Sequence, residues 1–300
     1  MQASSIDIDK NLCNGCGICV KVCPARAFSI VAEKAELIGN CTFACDHCAA
    51  SCPQQAITVG LTEERESFEF ASFTAEPAES PSQISLAALV AMMRARRSCS
   101  VYQKQPVDRE ILEDLVKIGL TAPSGTNSQR WTFTIIDSYP KMLVFGERIA
   151  TYFKKLNRLA ESGWLRKLLK LCGRPELDIY YREYYDSIKE GLSQWYEKKE
   201  DRLFHGAAAA ILVGAQPGAS CPHDDALLAT QNILLAAETM NLGSCLIGFA
   251  VEALRRDRSI KKTLKISADE TIYAVIALGY PAIFFPRPAG RRKVPIRWIV

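Results

Sequence analysis

No apolar run in this 300-residue chain approaches the roughly 20 residues needed to cross a bilayer. The first ten residues are polar and acidic, without the basic-then-apolar order of a secretory signal. These absences predict a soluble, cytoplasmic protein with no membrane partner. A G-x-G-x-x-G dinucleotide fingerprint is missing too. Net charge is only +4, and no nucleic-acid-binding motif accompanies it, so no nucleic-acid partner is expected. Histidine is scarce, at three residues. His205 and His223 are the candidate proton donors, although a lone histidine is more often structural. Cysteine, by contrast, is abundant: there are twelve, eight of them before Pro53. In an intracellular chain such crowding reads as metal or cluster ligation, not as a disulfide framework.

Length and an ordinary globular balance of 48% hydrophobic and 23% charged residues suit two domains. Charge is unevenly placed. Residues 61–83 carry one arginine against six glutamates, with Pro77, Pro81 and several serines, and read as an acidic linker. The segments on either side, 1–60 and 84–300, are then the two domains. Residues 1–60 hold an internal repeat, in which two cysteine-rich loops are each followed by an apolar stretch (Ala27–Val31 and Ala56–Val59). From Ile84 a helical pattern runs to Arg96. A second helix is expected at Asp108, and strands at Trp131–Ile136, Ala208–Gly214 and Thr271–Leu278. Residues 141–200 are helical and aromatic. Asp224–Leu242 is a helix apolar almost all round, with Gly243 expected as its C-terminal cap. This order gives an α+β class with three layers, not a doubly wound sheet.

The loops read Cys13-x2-Cys16-x2-Cys19-x3-Cys23-Pro24 and Cys41-x3-Cys45-x2-Cys48-x3-Cys52-Pro53. Two-residue spacers let three thiolates converge on one cubane, and Gly15 and Gly17 let the backbone wrap it. Paired zinc sites would need well-separated Cys-x2-Cys pairs instead. Residues 5–60 resemble the bacterial two-cluster ferredoxins, except for one extra residue in the second loop. The resemblance implies two 4Fe–4S clusters, each taking its fourth ligand from the other loop. Cys13, Cys16, Cys19 and Cys52 would hold one. Cys23, Cys41, Cys45 and Cys48 would hold the second.

Three stretches of residues 84–300 resemble the nitroreductase family. They are Arg96-Arg97-Ser98-Cys99-Ser100, Pro123-Ser124-Gly125-Thr126-Asn127-Ser128-Gln129 and Gly243-Ser244-Cys245-Leu246-Ile247-Gly248. An Arg291-Arg292-Lys293 tail adds to them. The resemblance implies a three-layer α/β/α domain that binds FMN at a homodimer interface. Arg96, Arg97 and Ser98 would hold phosphate and ribityl, helped by Arg291 and Arg292. Pro123, Ser124, Gly125, Asn127 and Gln129 would reach the flavin ring from the partner subunit. Leu246, Ile247 and Gly248 would lie against the ring, with Cys245 a small core residue. Family members often carry a cation where this chain has Ser100, so the flavin potential should be lower unless another group such as Lys104 substitutes.

Together these readings predict an FMN- and iron–sulfur-dependent oxidoreductase. Its electrons would come from NAD(P)H or a one-electron protein such as ferredoxin. They would pass through the clusters to FMN, then to a nitroaromatic, quinone or similar flat acceptor. An electron-transfer module of a larger redox complex is one alternative, and a reductase for a dedicated metabolite is another. The aromatic run Tyr180, Tyr181, Tyr184, Tyr185, Trp195 and Tyr196 is expected either to cover the flavin or to pack as an ordinary helix face.

Overall fold

The computed structural model describes residues 5–43, 45–60, 68–75 and 85–299. The backbone divides into two compact units. One comprises Met1–Glu69 with Pro123–Gln129, and the other Phe70–Ala122 with Arg130–Val300.

The repeat read in residues 1–60 is a repeat of structure. In the first unit, strands β1 (Ile6–Ile8) and β4 (Ile57–Val59) pair antiparallel, as do β2 (Phe28–Val31) and β3 (Lys34–Leu37). Two short helices, α1 (Ile18–Val22) and α2 (His47–Ala50), pack on each other. Each is preceded by a left-handed residue, Gly17 at φ 72° and Asp46 at φ 58°. The turn thus recurs in both loops, although only one carries the glycine that adopts it without strain. Gly15 is more constrained, because a Cβ there would sit 2.2 Å from the Glu33 carbonyl oxygen.

The second unit is built on a four-stranded antiparallel sheet in the order β5 (Trp131–Ile136), β6 (Ala209–Ala215), β8 (Thr271–Gly279), β7 (Gly243–Leu246). Strand β6 is buried throughout, and its side chains alternate between two cores. Ala209, Ile211 and Val213 join the core under α4 (Arg109–Gly119) and α9 (Pro222–Thr239). Ala210 and Leu212 join the core under α5 (Tyr139–Glu161) and α10 (Gly248–Arg256). Helices thus cover both faces, giving the three layers expected. Between Val213 and Gly214 the register with β8 shifts, leaving Tyr273 as an extra residue.

The other helices are α3 (Leu86–Ala95), α6 (Gly163–Leu171), α7 (Glu176–Glu183), α8 (Tyr185–Ser193) and α11 (Arg258–Thr263). Two local expectations change. Gly243 is not the cap of α9. Asn241 takes the left-handed position at φ 57°, and the Leu242 N–H closes on the Ala237 carbonyl at 2.8 Å. Gly243 instead opens β7, where a Cβ would fall 2.7 Å from Cys99 Sγ. The stretch read as an acidic linker falls mostly outside the described residues, but its described middle, residues 68–75, is docked. The Asp114 carboxylate, fully buried, accepts from the Ala71 N–H at 3.1 Å, the Ser72 N–H at 2.6 Å and the Ser72 hydroxyl at 2.6 Å. Burial opposes its charge, yet the bonds from Ser72 and Ala71 hold its pKa below the usual carboxylate range.

Candidate functional site

In the first unit the eight loop cysteines line two small cavities. Cys13, Cys16, Cys19 and Cys52 face one, and Cys23, Cys41, Cys45 and Cys48 face the other. Among the described residues, no three such side chains close on a single point as a lone metal ion would require. Backbone amides of alanines aim at three of the sulfurs. They are Ala35 on Cys13 (3.3 Å), Ala27 on Cys23 (3.4 Å) and Ala56 on Cys52 (3.3 Å). The Ala35 and Gly15 amides lower the Cys13 thiol pKa, whereas burial raises that of Cys19 and pushes Cys48 up to about 11. Buried thiols of this kind ionise readily only when a metal compensates the charge. The donor set fits iron–sulfur cubanes.

Pro123–Gln129 belongs to this first unit. Thr126, Asn127 and Gln129 all have left-handed φ, near 50°. Ser124 Oγ accepts from the Gln129 N–H at 3.0 Å, and Asn127 Nδ2 donates to the Phe43 carbonyl at 3.2 Å.

In the second unit, two of the motif stretches lie side by side. Ser98 and Ser244 form a parallel bridge, and the Cys99 N–H donates to the Ser244 carbonyl at 2.9 Å. The Arg96–Ser100 stretch is extended, so its side chains alternate. Ser98 and Ser100 are exposed. Arg97 and Cys99 instead line a cavity of about 620 Å³ with Arg94, Glu238, Gly243 and Arg287. There the Arg97 guanidinium stacks 5.0 Å from the Phe285 ring centroid. Arg97 and Ser98 therefore do not face the same space. Arg96 caps α3 and moderates Glu238, whose pKa burial raises. Arg291 and Arg292 lie in an exposed, irregular segment, and Arg291 donates to its neighbour's carbonyl, on Gly290. The structure does not bring them to the site within one chain.

A second cavity of about 1290 Å³ opens against Cys245, Leu246, Ile247 and Gly248. Its walls include Tyr152, Phe153, Tyr180, Tyr184 and Phe249. A Cβ on Gly248 would meet no protein atom within 4 Å, so a flat ring has room to approach the backbone there. Phe249 packs edge-on against Phe153 and Tyr184, at 5.6 and 5.9 Å. The aromatic run thus divides. Tyr180 and Tyr184 line the cavity. Tyr181 stacks under Arg166, the Tyr185 hydroxyl donates to Glu161, and Trp195 and Tyr196 donate to Glu147. His205 also lines this cavity, and burial holds its pKa below the usual value, which favours the neutral ring. His223 is exposed beside Asp224. Sequence reasoning missed Phe249, although it directly follows Gly248, and the leucines of α6 that complete the wall, Leu165 and Leu169.

Residues 93–280 match the nitroreductase family. The chain belongs to this family. It is an oxidoreductase of the FMN-dependent, nitroreductase type, and residues 5–28 match a 4Fe–4S binding domain. An Archaeoglobus fulgidus protein assigned by name to the NADH dehydrogenase/NAD(P)H nitroreductases is 26% identical, over 63% of this chain and 83% of its own length. The iodotyrosine deiodinase of Danio rerio is 21% identical over 67% of this chain, which spans 63% of that enzyme. Among solved structures, an FMN-bound nitroreductase of Bacteroides fragilis aligns with a TM-score of 0.51 at 19% identity, covering 71% of this chain and 98% of its own. That likeness concerns the fold.

Proposed function

We propose that the chain relays electrons from two cysteine-held 4Fe–4S clusters to FMN and on to a flat aromatic or quinonoid acceptor. The observation that carries this reading is the aromatic-walled cavity against Leu246–Gly248. An electron-transfer module with no small substrate has no use for such a space. FMN, when bound, supplies the exchange between one-electron and two-electron chemistry. Leu246, Ile247 and Gly248 would hold its ring from below, and Ser98 and Ser100 would offer hydroxyls along its edge. Arg96, with Arg291 and Arg292 of a second copy, would neutralise the phosphate, since one chain does not gather these cations by itself. Pro123–Gln129 would complete the pocket in the same homodimer. Phe249, Tyr180 and Tyr184 would stack on the acceptor and exclude water. The Tyr180 hydroxyl donates to Asn157 Oδ1, and burial raises its pKa strongly, so it stays a neutral, fixed ring in the wall. In the first unit, Cys13, Cys16, Cys19 and Cys52 would hold one cluster, and Cys23, Cys41, Cys45 and Cys48 the other.

Anaerobically purified protein should contain about eight iron and eight labile sulfide per chain. Its flavin should bleach on addition of NADH, NADPH or reduced ferredoxin, and reoxidise with a quinone or nitroaromatic. Zinc without sulfide would remove the ferredoxin half of the reading. A flavin that is reduced but never reoxidised by any flat acceptor would remove the other half.

A further inference from the structure

Helix α6, Gly163-Trp-Leu-Arg-Lys-Leu-Leu-Lys-Leu171, is apolar over about half its circumference, and the structure uses that arc twice. Leu165 and Leu169 turn inward and line the large cavity with Leu156 and Leu159 of α5. Trp164, Leu168 and Leu171, spaced i, i+4 and i+7, turn outward and are 69%, 44% and 87% exposed. A globular surface rarely shows a tryptophan and two leucines in one stripe without a partner. Cations flank the stripe. Lys167, Lys170 and Arg174 are all exposed, and Arg174 also stands in the cavity wall. The facing carboxylate on α7, Asp178, is offset by Arg166, Lys170 and Arg182 at 3.4–3.7 Å. The face is therefore apolar at its centre and positive at its edge.

We propose that the outer face of α6 docks on an anionic lipid bilayer, and that the cavity behind it takes its acceptor from the membrane as a lipophilic quinone. A Trp- and Leu-bearing stripe bordered by lysines is the pattern of a helix that lies in a membrane interface. Charge complementarity selects anionic lipid: each lysine near such a surface strengthens binding about fivefold. No described helix is long and apolar enough to cross a bilayer, so the contact is with the surface. This departs from the expectation of no membrane partner. It arises because the leucine that lines the cavity and the leucine that faces out are neighbours on one helix. A lipid-dissolved acceptor would need to pass only that helix. The acceptor half of the proposal rests on the function proposed above, whereas the docking half does not.

The test uses the full-length holoprotein with vesicles of phosphatidylcholine alone or mixed with phosphatidylglycerol. Co-sedimentation should occur with the anionic vesicles, weaken at high salt, and leave the neutral vesicles nearly free. Lys167→Glu with Lys170→Glu should weaken it at least thirtyfold, and Trp164→Glu with Leu171→Glu should abolish it. All four side chains are exposed, so thermal melting should be unchanged in the Trp164/Leu171 variant and only slightly lowered in the lysine variant, which loses the surface pair of Lys170 with Asp178. Anionic vesicles should shift the tryptophan emission to the blue, and Trp164→Phe should remove most of that shift. Reduction of a long-chain quinone embedded in the vesicles should fall in the Trp164/Leu171 variant, while reduction of a short-chain, water-soluble quinone should not. Absence of vesicle binding overturns the proposal, as does binding that the variants leave intact. A change of oligomeric state in the variants without lipid binding would assign the face to a second copy instead. Binding through α6 with equal loss of both quinone activities would overturn the membrane route. Failure to reduce either quinone in the unaltered protein would refute the proposed function but not the docking, which sedimentation decides.

Discussion

Gly248 separates the requirements of the fold from those of the flavin. It opens α10, its backbone is not left-handed, and an added Cβ would meet nothing within 4 Å. Gly248→Ala should therefore leave the apoprotein as stable as before, or stabilise it by about 0.5–1 kcal/mol through helix propensity. If the flavin ring lies on this backbone, however, the methyl group occupies its contact surface. Overpacking of that kind costs about 1–3 kcal/mol, or about five- to 150-fold in affinity. Gly248→Val should cost more. The assay is fluorescence titration of FMN into apoprotein, with thermal melting of the same samples. Gly243→Ala is the contrasting control, because its Cβ would lie 2.7 Å from Cys99 Sγ and should lower the melting temperature itself. Unchanged FMN affinity in both Gly248 variants would mean that the ring does not lie there, and the assignment of Leu246–Gly248 would fail.

Asp114→Ala should destabilise the second unit by about 1.5–3 kcal/mol in urea unfolding, since the amides of Ala71 and Ser72 lose a charged acceptor. Because the Asp114 pKa is lowered in the fold, its contribution is complete above the unfolded value near 3.9 and disappears as pH falls through the folded value. Asp114→Asn should accordingly be less stable than the parent at neutral pH and flatten the acid limb of its stability curve. Arg96→Ala should weaken FMN binding about ten- to hundredfold, with cluster absorbance unchanged, whereas Arg97→Ala, in the Phe285 cavity, should not. Full occupancy of the Arg96 variant at limiting FMN would refute that assignment. Cys16→Ala with Cys48→Ala, which removes a ligand from each cluster and keeps the Phe43 carbonyl on Asn127, should spare flavin reduction by NAD(P)H and abolish reduction by a one-electron protein donor. Equal rates with that donor in both forms would refute the relay.

What could be read from the sequence was what local chemistry dictates. Four cysteines at two- and three-residue spacing have few other uses, and strand β6 announced itself because a run buried on both faces must be apolar throughout. What could not be read depended on neighbours distant in sequence. Gly243 looked like a helix cap because glycine usually serves there. Asn241 could take that position, and the absence of a side chain at 243 is required by Cys99, which is 144 positions earlier. Asp114 drew no reading of its own, because nothing in the local sequence sets it apart on its helix. Its burial follows from a turn some forty residues upstream that brings two amides to it.

Helix α6 shows the same limit most sharply. Its sequence fixes a helix with a broad apolar arc and a basic remainder, and either a buried helix or an interfacial one satisfies that pattern. Only its packing against α5 and α7 divides the arc, placing Leu165 and Leu169 on the cavity and Trp164, Leu168 and Leu171 outside. An arc needed solely to close the cavity could have been half as wide. The outer half adds nothing to closure and leaves apolar surface in water, at a cost of about 25 cal/mol per Å² relative to burial. A contact that covers it is favoured by the same energetics that bury the inner half, and the lysines beside it favour an anionic one.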